Sequence, residues 1–136
     1  MKGRITPEKI TELEESQVFV FGSNLAGIHG AGAAKLAHDK FGAPWHLSFG
    51  HYHKVFAIPT KDFNIQTLPL STIEGYVNAF IKYVNGFGEN NIFLVTEIGC
   101  GLAGYKPEQL APMFRKAIKM ENIYLPQRFW DVLNKQ

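Results

Sequence analysis

The sequence predicts an α/β fold, a three-layer α/β/α sandwich on a mixed, mostly parallel sheet. Three observations lead there. Short, uniformly apolar, β-prone runs at residues 18–21, 55–58 and 92–96 read as strands covered on both faces. Helical segments alternate with them, which is the pattern that layers helices over a largely parallel sheet. Two glycine-rich stretches follow strands and lead into helices, where ligands sit in such sheets.

Taken in order, Thr6-Pro7-Glu8 has a capping hydroxyl and a proline suited to a first helical position, predicting an N-terminal helix over about residues 6–16. Val18 to Phe21 is the first strand, ended by Gly22-Ser23-Asn24, and alanine-rich residues 31–41 form the next helix. Pro44 and Gly50 break residues 43–53 into irregular chain or a hairpin before a strand at 55–58. From Leu70, apolar Ile73, Val77, Phe80, Ile81 and Val84 recur at the helical period. After the strand at 92–96, Pro107-Glu108 opens a helix to about Ile118, residues 122–125 form a last strand and 126–133 a terminal helix.

The length, 136 residues, suits a single domain spanning 1–136. Charged residues make up 19% and are interspersed, with a net charge of +2, so neither disorder nor sequence-independent nucleic-acid binding is expected, and no direct sequence-specific nucleic-acid binding is expected either. The single cysteine excludes an internal disulfide. The first residues lack a signal-like apolar core and no run approaches a membrane span, so a cytoplasmic setting without membrane contact is expected.

The loop of residues 22–34 holds Gly27, His29, Gly30, Ala31 and Gly32 ahead of a helix, whose free amides and partial positive charge favour a phosphate. It lacks the lysine of a Walker loop. The second loop, Gly99-Cys100-Gly101-Leu102-Ala103-Gly104, satisfies G-x-G-x-x-G. A dinucleotide fold needs an acidic residue about 20 positions further on, at the end of the next strand, whereas Glu121 precedes that strand. Two such loops facing one crevice would instead clamp a diphosphate with backbone amides. Tyr105, directly after the second loop, is placed to touch the ligand.

His29-Gly30-Ala31-Gly32-Ala33-Ala34 running into Lys40-Phe41-Gly42, followed by Ile98-Gly99-Cys100-Gly101-Leu102 after a buried strand, resembles the ADP-ribose-binding macrodomain family over about residues 18–125. The likeness is to its terminal ADP-ribose protein glycohydrolase branch. The resemblance implies a macrodomain-like fold and ADP-ribose, or an ADP-ribosylated macromolecule, as partner. By it, Asn24 would lie near the distal ribose or adenine, residues 30–34 would wrap the diphosphate, and residues 99–105 would close over phosphates and ribose. That branch cleaves an ADP-ribosyl ester with a nucleophilic lysine, and Ile58-Pro59-Thr60-Lys61 resembles its lysine motif. A nucleophilic lysine must be neutral, which the neighbouring Asp62 would oppose if its carboxylate faced inward. Where the branch carries a resolving aspartate this chain has Ala103, leaving Glu97 or Asp62 as substitutes.

Cys100 has no adjacent histidine to activate it and reads as packing. His46, His51 and His53 match no zinc spacing, so neither metal nor cofactor is expected. The primary expectation is an ADP-ribose reader. The alternatives are a hydrolase using Lys61, assisted by Asp62, and a non-enzymatic interaction module in which the glycines are purely structural.

Overall fold

The computed structural model describes residues 3–135. Five strands form one sheet in the order β2-β3-β1-β4-β5, with β1 at Gln17–Asn24, β2 at Gly50–Tyr52, β3 at Val55–Lys61, β4 at Ile92–Val95 and β5 at Ile123–Tyr124. β1, β3, β4 and β5 run parallel; only β2 pairs antiparallel, as a hairpin with β3. Chain order places β3 on one side of β1 and β4 on the other. The crevice beyond the carboxyl ends of these three strands is therefore the topological switch point.

The apolar runs are buried on both faces because each face has its own cover. Phe19 and Phe21 point to one side, with Ala34 and Ala37 of helix α1 (Gly32–Phe41) and with Val55 and Ala57. Val18 and Val20 point to the other, beside Phe56, Ile58, Phe93 and Val95. That second face carries α2 (Leu70–Phe87), α3 (Pro107–Leu110) with a 3-10 helix at Ala111–Lys119, and α4 (Gln127–Asn134). The two-residue alternation of the strands thus feeds two cores. The apolar stripe of α2 is buried as its period predicts. No described helix is long and apolar enough to cross a membrane.

Four local expectations are corrected. Residues 6–16 are not helical: Ile5 bridges Leu125, the Thr6 amide donates to the Leu125 carbonyl at 2.9 Å, and Ile10 and Leu13 then pack on the core cluster of Phe19, Phe21 and α1. Pro7 disfavours helical backbone at Thr6, and strand pairing outweighs a marginal short helix. The first strand does not stop at Phe21 but runs through Asn24, with its register to β3 shifting between Ser23 and Asn24. The strand at 55–58 likewise continues to Lys61. The helix expected to Ile118 is α-helical only as far as Leu110, because the Pro112 ring would collide with the Glu108 carbonyl, and the chain tightens to 3-10 geometry.

Candidate functional site

The carboxyl ends of β1, β3 and β4 open into a cleft of about 530 Å³ whose wall draws on both glycine-rich loops. Asn24, Gly30, Ala31 and Gly32 contribute from the first; Gly99, Cys100, Gly101, Leu102 and Ala103 from the second; Lys61 stands at the end of β3 between them. The loops approach closely. A Cβ added to Gly22 would lie 3.7 Å from the Gly99 nitrogen, and one on Gly32 would lie 3.6 Å from the Leu102 side chain.

The backbone of each loop is fixed from within, leaving amides free at the front. Asn24 grips residue 28 at both ends: its Oδ1 accepts from the Ile28 amide at 3.0 Å and its Nδ2 donates to the Ile28 carbonyl at 2.8 Å. The chain then enters α1 at Ala31, where no side chain caps the first turn, so its leading amides meet the cleft without an intrahelical acceptor. In the second loop the Cys100, Gly104 and Tyr105 amides donate to the carbonyls of Glu97, Gly101 and Gly99. The amides of Gly101, Leu102 and Ala103 have no partner among the described residues. Gly99 holds a φ of +77°, and a Cβ there would press on Leu110 at 3.0 Å, so the second loop needs glycine for its turn and for packing.

Lys61 and Glu97 are the charged residues of this wall. Lys61 makes no ion pair or side-chain hydrogen bond among the described residues, while its carbonyl accepts from the Leu25 amide at 2.9 Å. Glu97 is held by a two-pronged bond from Arg128, Nε to Oε2 at 2.8 Å and Nη2 to Oε1, which keeps its carboxyl below the usual range. At neutral pH Glu97 is therefore an ionised, already engaged acceptor.

Several candidate residues lie elsewhere. Asp62 does not line the cleft; its Oδ1 accepts from the Asn64 and Gln66 amides at 2.8 and 2.9 Å and shapes the turn after β3. Tyr105 packs on the core and its hydroxyl donates to the Leu68 carbonyl at 2.7 Å. Gly104 is likewise outside the wall, and Gly27 and His29 sit behind the first loop, against residues 44–46. Ile28, Ile65, Thr60 and Thr96 join the wall without a sequence signal of their own. They become visible only when the strand ends are aligned.

Burial pushes the Cys100 thiol up to about 11, with Glu97 adding repulsion of the thiolate. Its alkylation by iodoacetamide at neutral pH is expected to be about a hundredfold slower than that of a free thiol, since the thiolate is the reactive form. A mass-shift time course checks this; a free-thiol rate would contradict the half-buried placement beside Glu97. His51 bonds the Tyr83 hydroxyl through Nδ1 and the His53 carbonyl through Nε2, while His46 packs under Gly27. Among the described residues no group of three or more His, Cys, Asp or Glu side chains is placed to hold a metal ion.

A second cleft, of about 690 Å³, shares Ala33, Thr96 and Glu97 with the first. Its wall mixes apolar Ile5, Pro7, Ile10, Phe19 and Leu36 with Glu8, Gln127 and the Glu97–Arg128 pair, and it also holds Thr6, whose buried Oγ1 has no hydrogen-bond partner among the described residues. Compared with family models, curated proteins and solved structures, the chain matches none.

Proposed function

We propose that this protein binds ADP-ribose, free or attached to a macromolecule, with the diphosphate held between the two glycine loops. The observation that carries the reading is the convergence of free amides from residues 30–34 and 101–103 on one cleft that has Lys61 beside it. Amides and a single cation suit a diphosphate: they offer directional donors without demanding a basic patch. The second cleft, which shares Ala33, Thr96 and Glu97 with the first, supports a ligand longer than its phosphates, because Ile10, Phe19 and Leu36 offer apolar surface for a planar base beside the Glu97–Arg128 pair.

Calorimetric titration with ADP-ribose, AMP and NAD tests this. ADP-ribose is expected to bind in the micromolar range; AMP, with one phosphate, spans one loop only and binds far more weakly, as does NAD, whose nicotinamide occupies the terminal ribose. Silence from all three would leave the glycines structural and favour an interaction module.

A second reading, hydrolysis of an ADP-ribosyl bond, is favoured by the position of Lys61 in the wall, where it has no ion pair among the described residues. In it the Lys61 amine displaces the linked group at the anomeric carbon and water then releases the sugar. Asp62, turned into its own loop, is not positioned to assist. Incubation with ADP-ribosylated protein separates the readings: released ADP-ribose that vanishes in Lys61→Ala at concentrations that still saturate the variant identifies a hydrolase. No release by the wild-type chain leaves a reader.

A further inference from the structure

His29 precedes the amides of the first loop and faces away from the cleft. Its ring is 2% exposed, edge-on to Phe21 at 5.6 Å and stacked on Trp45 at 5.6 Å. Nε2 lies 2.8 Å from the Pro44 carbonyl. A carbonyl only accepts, so Nε2 carries the hydrogen, and Nδ1 is a lone-pair nitrogen, buried and without a hydrogen-bond partner among the described residues. With Asn24 gripping Ile28 and His29 tied to Pro44, the chain is anchored just before Gly30 turns into the cleft.

We propose that His29 is a positioning residue for the diphosphate cleft: in its neutral Nε2–H form it holds residues 30–34 with their amides presented, and protonation of Nδ1 releases the loop, making ligand binding acid-sensitive. This rests on the function proposed above. The titratable groups acting on the ring are His38 on α1 and His46 in the following segment, both bases; β1 brings Phe21, and the Lys35–Asp39 pair occupies the exposed side of α1. A proton on Nδ1 would meet neither an acceptor nor water, and burial accordingly holds this imidazole below its ordinary value of 6.5. The sign follows. The anchored loop requires the neutral ring, while the released loop titrates normally, so anchoring is complete above 6.5 and is lost as pH falls beneath it.

The test follows the amide signals of Gly30 and Gly32 without ligand from about pH 8 to pH 5, and the ADP-ribose affinity over the same range. The loop signals are expected to shift together below the ordinary imidazole range, and the affinity to fall about tenfold or more. His29→Ala is expected to weaken binding at neutral pH. His29→Gln, whose side-chain amide can donate to Pro44 but cannot take a proton, is expected to restore that affinity and to flatten both pH profiles. Affinity that is constant or rises in acid, as an imidazolium attracting the anion would cause, overturns the proposal. So does a glutamine variant as acid-sensitive as the wild type. If ADP-ribose binds at no pH, the proposed function fails, and the ligand-free amide titration decides the role of His29: loop signals flat with pH overturn it.

Discussion

Gly27→Ala is expected to destabilise the protein by about 3 kcal/mol or more and to abolish ligand binding. Gly27 holds a φ of +70°, where an L-residue costs about 1–2 kcal/mol. Its position is also pressed against backbone: an added Cβ would lie 2.2 Å from the His46 Cα and 2.3 Å from its carbonyl carbon. Because those atoms are main chain, relief requires moving the whole 44–46 segment, including the Pro44 carbonyl that anchors His29. The His46 amide, which donates to the Gly27 carbonyl at 2.8 Å, is displaced with it. Gly30→Ala supplies the contrast. A Cβ at Gly30 would have no neighbour within 4 Å, and the φ there is not positive, so folding is expected to change by less than about 0.5 kcal/mol. The new methyl group would occupy the cleft, and affinity is expected to fall about tenfold. Denaturant melts and ligand titrations on the two variants check this separation of a structural from a binding glycine. Equal melts would contradict it.

The other large effect is expected at Arg4→Met, a loss of about 3 kcal/mol and about 10 °C in Tm. Arg4 is only 9% exposed and donates to three main-chain carbonyls, those of Ile118, Met120 and, at 2.8 Å, Ile123. Its guanidinium carbon lies 5.3 Å from the Trp130 ring centroid, and the Trp130 indole donates back to the Arg4 carbonyl at 2.8 Å. Two carbonyls at the end of the 3-10 helix and one on β5 therefore lose a shared cationic donor, which methionine cannot replace. Arg4→Lys is expected to recover only part of the loss, since a single ammonium cannot match the planar fork. Thermal melts of both variants measure it. A Tm within about 2 °C of wild type in Arg4→Met would show that this clamp does not secure the N-terminal segment.

The same contacts explain what the sequence leaves hidden. The buried strand at 92–95 and the stripe of α2 are legible because their period depends only on which face meets the core. The two glycine loops are legible as neighbours because parallel strands bring their carboxyl ends to one edge. The N-terminal segment is not, since Ile5 and Thr6 at its start pair with Leu125, more than a hundred residues away, and local helical signals carry no trace of that pairing. Gly27 and His29 read as ligand-facing because they sit within a glycine-rich run. Their true partners are residues 44–46, an irregular stretch with no periodicity to announce that it folds back. Tyr105 and Asp62 fail for a related reason: a backbone partner takes each polar group out of the cleft, the distant Leu68 carbonyl for Tyr105 and the nearby Asn64 and Gln66 amides for Asp62.

The most direct measurement is an amide spectrum of the isotopically labelled protein during addition of ADP-ribose. Signals of Gly30 and Gly32 on one loop and of Gly101 and Leu102 on the other are predicted to move together, with one saturation curve, as a ligand bridging both requires. Movement confined to one loop, or none at either, would contradict a shared diphosphate grip.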